Sequence, residues 1–284
     1  MSVRVFAPAK INITLEVGRP RADGLHPLQS AVMFADVGDW IEAAAAETLS
    51  LTIDGPFADA LPMSDDNLVL RAARALAPGR GAALKLTKNL PVASGIGGGS
   101  SDAAAALKAL NALWSCELSE SDLQHTARSL GSDVAVCVSA RTAWMTGAGE
   151  HVVEMQAPRL SAVLVNAGAP LATAAVYKAF DAASLGEAFV VTPPPSWSFL
   201  EEAAREAARR GNDLAQPASQ ISPVVGETLA LLRAQPETKF AQLSGSGATC
   251  FALTANVDDA NQLAARLRAQ KSDWWIVATN LGAA

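Results

Sequence analysis

Residues 91–107 read PVASGIGGGSSDAAAAL, and the fold turns on what these small residues are for. Gly95, Gly97, Gly98 and Gly99 lack the Cβ atoms that would keep a backbone away from a ligand. Ser100, Ser101 and Asp102 follow as candidate caps for a helix predicted over residues 103–114. Unpaired N–H groups in a first helical turn, with the helix dipole behind them, attract an anion. The stretch therefore predicts a phosphate cradle built from Pro91, Val92, Ala93, Ser94, Gly95, Ile96, Gly97, Gly98, Gly99, Ser100 and Ser101.

Two familiar glycine loops do not fit it. A P-loop places a lysine directly after its last glycine, and none stands here. A dinucleotide fingerprint needs a third glycine where this chain has Ser100, and no clear parallel strand–turn–helix unit surrounds the stretch. A plain surface turn ahead of a helix would account for the glycines, but not for S-S-D fused to a run of alanines.

The 284 residues can bury one large core or two smaller ones. Half the residues are hydrophobic and 18% are charged, as in a globular protein, and no uncharged apolar run is long enough to span a membrane. The first ten residues, MSVRVFAPAK, have no apolar core or cleavage site of a secretory leader. Cys116, Cys137 and Cys250 have neither metal-ligand nor disulfide-framework spacing. These features predict a cytoplasmic protein with no membrane partner. A net charge of −6 without basic clusters argues against a nucleic-acid groove.

Along the chain, residues 3–17 alternate as a strand, with Lys10 and Asn12 on one face. Such a lysine is ordinarily solvated. The loop 19–30 carries His26, one of three histidines. Strand character resumes over 31–55, with a turn expected near Val37, Gly38 and Asp39. Ser64, Asp65, Asp66 and Asn67 precede a helix stopped by Pro78 and Gly79, and 83–88 form a short strand into the glycine stretch. A helix capped near Ser119 ends before Gly131, and the apolar run 134–138 places Asp133 at a helix-to-strand junction. Asp133 there is either a cap or turn residue or a placed base. A hairpin over 142–155, a strand over 162–165, a helix over 172–180 and a linker at 191–195 (VTPPP) follow. Helices over 198–210, 223–234 and 258–270 and strands around Ser244, Gly245, Ser246 and Gly247 and at 274–281 complete an α+β pattern in two lobes.

Three motifs in this order resemble the GHMP kinase superfamily, the small-molecule kinases of galactose, homoserine, mevalonate and phosphomevalonate. They are P-A-K-I-N (8–12), P-x-x-x-G-I-G-G-G-S-S-D-A-A (91–104) and S-G-S-G-A (244–248). R-A-D-G-x-H (21–26), D-N-L (66–68), L-G-S-D-V (130–134) and G-N-D-L (211–214) narrow the resemblance. They point to the branch that phosphorylates a tertiary hydroxyl of cytidine-diphosphate-linked methylerythritol, a step of non-mevalonate isoprenoid synthesis. The resemblance spans nearly the whole chain.

It implies a two-lobe GHMP kinase fold with a cleft between an N-terminal ATP-binding lobe, 1–155, and a C-terminal lobe, 156–284. It also implies ATP and Mg²⁺ as cofactors and a small-molecule cytidine diphosphate sugar-alcohol substrate. By similarity Asp133 takes or orients the proton of the attacking hydroxyl and Lys10 stabilises the developing charge; a neighbouring lysine favours an ionised aspartate. Ser101 would reach the phosphates or their Mg²⁺, and Asn67, Leu68 and Lys88 would line the adenine side, although Lys88 also reads as a solvated strand-end lysine. Asn12, His26, Gly245 and Ser246 would contact substrate, with cytosine on Tyr177; Leu25 stands where the family places a second stacking aromatic. The expected assembly is a monomer or weak homodimer. The rival readings are another kinase of the superfamily, of homoserine or mevalonate type, and a catalytically inactive nucleotide-binding relative.

Overall fold

The computed structural model describes residues 2–61, 64–188 and 190–282. In chain order they form β1 (Ser2–Asn12), β2 (Glu16–Val17), β3 (Leu28–Ala44), β4 (Leu49–Asp54), a 3-10 turn (Ala58–Ala60), α1 (Leu68–Leu76), β5 (Ala82–Thr87), α2 (Gly98–Leu113), α3 (Glu120–Arg128) and α4 (Ser132–Ser139). The rest runs β6 (Ala143–Gly147), β7 (His151–Glu154), β8 (Leu160–Asn166), α5 (Thr173–Ala182), α6 (Leu200–Arg210), α7 (Ala215–Ile221), α8 (Pro223–Arg233), β9 (Thr238–Leu243), β10 (Cys250–Thr254), α9 (Val257–Gln270) and β11 (Trp275–Leu281). Among the described residues no helix is long and apolar enough to cross a membrane.

The contacts divide the chain into two compact units that interleave in sequence. The first holds Met1–Lys10, Val37–Val92 and Gly97–Ala140; the second holds Ile11–Asp36, Ala93–Ile96 and Arg141–Ala284.

In the first unit β5 pairs in parallel with β4 and antiparallel with the second half of β3, from Trp40 opposite Thr87 to Ala44 opposite Ala83. Its sequence AALKLT alternates strictly: Ala82, Leu84 and Leu86 are buried while Ala83 and Lys85 face water. Asn67 caps α1 by accepting the N–H of Val69, and Ser119 and Asp122 form a reciprocal capping box at α3. The alanine run of α2 is buried from Ala103 to Ala106, which lets α1 and α4 pack close against it.

Three expectations are corrected here. No turn falls at residues 37–39: β3 runs unbroken, and a Cβ on Gly38 would lie 2.2 Å from the carbonyl oxygen of Ala7. That glycine serves a close approach between strands rather than a reversal. The run 134–138 is helix α4, not a strand. All five residues are buried, so no polar face marks a period, and β-branched valines misdirect the reading. Finally, α2 starts at Gly98 rather than near 103, with Gly97 as its N-cap in the left-handed region (φ 64) and no side-chain cap bond. Ser100, Ser101 and Asp102 thus lie inside the helix and are not its caps.

In the second unit β8 lies between β11 and β10, both antiparallel, with β9 on the far side of β10. The first half of β3 pairs with β2 and β6. The apolar core here gathers Val163 and Val165 of β8, Val176 and Phe180 of α5, Leu229 and Leu232 of α8, and Leu263 and Leu267 of α9. The VTPPP segment is not a free linker. Thr192 receives the indole N–H of Trp144 on its carbonyl, donates its own N–H to Gln29 and takes the Arg210 guanidinium on its hydroxyl, all within this unit. Helix α7 went unforeseen because Pro217 interrupts its sequence, yet at the third helical position proline removes no intrahelical bond.

Candidate active site

In the first unit Lys10, near the end of β1, is almost wholly buried. Its ammonium lies 2.8 Å from Oδ1 of Asp133, whose side chain remains 42% exposed. Asp133 sits in the first turn of α4, after Gly131. The lysine stem runs along Gly97: a Cβ there would stand 3.1 Å from the Cβ of Lys10 and 3.2 Å from its Cε. Glycine at 97 thus does two things. It adopts the positive φ that starts α2, and it admits a lysine from another strand to the helix start. The first-turn N–H groups of α2 have no intrahelical acceptor and no capping side chain. Leu68 flanks this turn, its Cδ1 3.6 Å from the Cβ position of Gly99, while Asn67 is engaged as the α1 cap.

Two first-unit residues are held by protein partners. The Ser101 hydroxyl is buried, donates to the carbonyl of Pro8 at 2.7 Å and lies 3.3 Å from Cys137 Sγ. It fastens α2 to β1. Burial pushes the Cys137 thiol up to about 12, so this sulfur stays protonated. Lys88 is not solvated: its ammonium is buried between Asp39 at 2.5 Å and Asp102 at 2.7 Å. Desolvation alone would lower its pKa, but Asp102 and Asp39 outweigh it and the net shift is upward. Burial, with a contribution from Asp39, raises the Asp102 carboxyl to about 8 against the pull of Lys88. Neither Asp39 nor Asp102 was singled out as a charge-bearing partner in the sequence, since their meeting with Lys88 depends on the tertiary fold.

The second unit holds the other half of the expected residues. Asn12 donates its backbone N–H to Ser244 Oγ at 3.1 Å and its amide to Ser30 Oγ at 2.7 Å. Ser244 Oγ donates in turn to the carbonyl of Gly95 at 3.0 Å, and Ser94 accepts the N–H of Thr249. The segment Ala93–Ile96 and the loop 244–247 therefore touch backbone to backbone. A Cβ on Gly95 would come within 2.4 Å of the Ser244 carbonyl oxygen, and one on Gly245 within 2.7 Å of the Gly95 carbonyl oxygen. Asn212 of the G-N-D-L motif holds this loop from behind, donating to the carbonyls of Leu243 and Gly245, each at 2.9 Å. Ser246 Oγ shares a hydrogen bond of 2.8 Å with Thr173 at the start of α5.

His26 is a partly buried, oriented group. Its Nδ1 lies 2.9 Å from the carbonyl of Gly18, which can only accept, so the proton sits on Nδ1. Its Nε2 faces Asp181 at 3.3 Å, and its ring is flanked by Tyr177 at 4.9 Å and Phe180 at 5.8 Å between centroids. Leu25 beside it is 52% exposed. Thr173, Asp181 and Asn212 carried no individual signal in the sequence; only the G-N-D-L motif pointed near one of them.

Among the described residues no group of three or more His, Cys, Asp or Glu is placed to hold a metal ion. With Ser101 turned inward, the residues present form no protein cage for Mg²⁺. They fit a cation carried by nucleotide phosphates, the usual situation for magnesium.

Comparison with known proteins identifies the family. The model of the GHMP kinases N terminal domain matches residues 67–141, and that of the GHMP kinases C terminal domain matches residues 196–273. A 4-diphosphocytidyl-2-C-methyl-D-erythritol kinase of Caulobacter vibrioides is 44% identical, covering 97% of this chain and 98% of its own. One of Parvibaculum lavamentivorans is 47% identical over 97% of each chain. A crystal structure of 4-(cytidine 5'-diphospho)-2C-methyl-D-erythritol kinase superposes with a TM-score of 0.76 at 32% identity, over 99% of this chain and all of that one.

Proposed function

The chain belongs to the GHMP kinases, and from that footing we propose that it transfers the γ-phosphoryl group of ATP to the 2-hydroxyl of 4-diphosphocytidyl-2-C-methyl-D-erythritol. The observation that carries the chemistry is the Lys10–Asp133 pair at 2.8 Å, set against Gly97 at the head of α2. Phosphoryl transfer asks little covalent chemistry of a protein and depends on positioning and charge neutralisation.

In this reading the first-turn N–H groups of α2 hold the ATP phosphates. The exposed carboxylate of Asp133 accepts the proton of the attacking tertiary hydroxyl. The oxygen–phosphorus bond forms as the bond from the γ-phosphorus to its bridging oxygen breaks, and ADP leaves. Lys10, fixed by its burial, offsets the negative charge gathering between donor and acceptor. Mg²⁺ supplies neutralisation of the phosphate oxygens when it arrives with the nucleotide. His26 reads the cytosine edge, Tyr177 underlies its face, and Gly245, Ser246 and Asn12 approach the remainder of the substrate. We place the reaction in the cytoplasm, in keeping with three free cysteines.

A coupled ADP-release assay offering the cytidine substrate, homoserine and mevalonate in parallel tests this. Turnover is expected with the cytidine substrate alone. Comparable rates on either acid would reassign the chain within the family, and ATP binding without turnover on all three would make it an inactive relative.

A further inference from the structure

Lys88, Asp39 and Asp102 take no part in the reaction drawn above, yet they form the most deeply buried charge cluster of the first unit. Asp39, on β3, uses both oxygens. Oδ1 accepts the backbone N–H of Asn89 at 2.6 Å and of Leu90 at 2.8 Å, while Oδ2 accepts from Lys88 Nζ at 2.5 Å. The same ammonium donates to Asp102 Oδ2 in α2 at 2.7 Å, and Asp102 Oδ1 has no hydrogen-bond partner. Buried ion groups contribute little net stability compared with apolar residues of the same volume, so the arrangement asks for another reason.

Its placement supplies one. Everything it grips on the near side, Lys88, Asn89 and Leu90, directly precedes the glycine stretch, and what it grips on the far side, Asp102, directly follows it. The ammonium also stands 3.0 Å from the Cβ position of Gly98, beneath the first turn of α2. A residue larger than glycine at 98 would require the ammonium to give by a few tenths of an ångström against the two carboxylates that hold it.

We propose that Asp39, acting through Lys88 and Asp102, is a positioning residue for ATP: it pins the chain on both sides of the glycine stretch so that the first-turn N–H groups are set before the nucleotide arrives. The inference rests on the reading above that ATP phosphates lie at this helix start. A phosphate site held ready at both ends does not have to be ordered on binding, and donors aimed in advance act without reorganisation. Asp39 touches no substrate in this account; its effect passes through backbone N–H groups and one ammonium.

Calorimetric binding of MgATP and of CDP to the full chain tests it, in wild type, Asp39→Asn, Lys88→Met, the double variant Asp39→Asn/Lys88→Met, and the triple variant Asp39→Asn/Lys88→Met/Asp102→Asn. The triple carries no buried charge, so it is expected to fold even where Lys88→Met alone leaves two carboxylates facing each other. MgATP should bind about tenfold more weakly to Asp39→Asn and to the triple, while CDP changes by less than about twofold. Adding Lys88→Met to Asp39→Asn should cost no more than the worse single change, because the residues act as one unit. A triple variant that melts and binds MgATP like wild type overturns the proposal, as does equal weakening of both ligands. A wild type that fails to bind MgATP overturns the assignment of ATP to this helix start instead.

Discussion

The ammonium of Lys10 stands 2.8 Å from Oδ1 of Asp133, but the two side chains differ tenfold in exposure, 4% against 42%. The lysine is locked in place while the aspartate stays open to an incoming hydroxyl. Asp133→Asn should therefore lower kcat by about 10²–10⁴-fold with the MgATP dissociation constant little changed, as expected for loss of a general base. Near wild-type turnover in a folded Asp133→Asn protein would remove the base from that position.

Cytosine recognition is asymmetric in this chain. Tyr177 lies against His26 at 4.9 Å, whereas Leu25 offers only an exposed aliphatic group. Leu25→Tyr should lower the Michaelis constant for the cytidine substrate about five- to tenfold, the low end of a base–aromatic stack. Tyr177→Ala should raise it by at least as much. Steady-state kinetics at saturating ATP reads both, and an unchanged constant in Leu25→Tyr would show that position 25 does not face the base.

The raised pKa of the buried Asp102 carboxyl predicts a pH dependence of stability. Burial first, and Asp39 second, raise its carboxyl from 3.8 to about 8. Between those values the folded chain retains a proton that the unfolded chain has released, so stability falls as pH rises through the window and levels off above it. Asp102→Asn removes the titrating group. Urea midpoints from acid to about pH 9 should show a gap between variant and wild type that widens with pH to a plateau. Parallel curves would mean that Asp102 does not hold the proton.

Asn212 is tied at three points: it donates to the carbonyls of Leu243 and Gly245 and accepts the N–H of Leu214. Asn212→Ala leaves these buried groups unpaired and should cost about 1–3 kcal/mol for each one that water cannot reach. It should also raise the Michaelis constant for the cytidine substrate more than that for ATP, because the loop at 244–247 loses its backing. Chemical denaturation and the two constants together check this; equal effects on both substrates would reduce Asn212 to a stability residue.

Features set by short-range rules could be read from the chain. Asn67 and Ser119 announced their helices because a cap and its acceptor lie within three residues. The strand β5 declared its buried face through strict alternation. Helix α4 did not, because a segment buried on every side carries no period. The motifs P-A-K-I-N and L-G-S-D-V marked Lys10 and Asp133 individually, and the fold supplies their contact. Asp39 was hidden for a different reason. An acid after a glycine reads as a turn, and only the distant Lys88 and the N–H groups of Asn89 and Leu90 make it interior. The Ser101 bond was equally illegible, since a hydroxyl at a helix start suits a ligand as well as the Pro8 carbonyl that accepts from it.

The close approach of Gly95 to the loop at 244–247 constrains how this protein can vary. Each backbone fills the space where the other would carry a side chain: Ser244 and Gly247 crowd Gly95, and Gly95 crowds Gly245. Neither loop can be redesigned alone. Insertions or non-glycine substitutions in one should survive in natural or laboratory libraries only alongside a compensating change in the other, so positions 95 and 245 form a single heritable unit although they stand far apart in the gene.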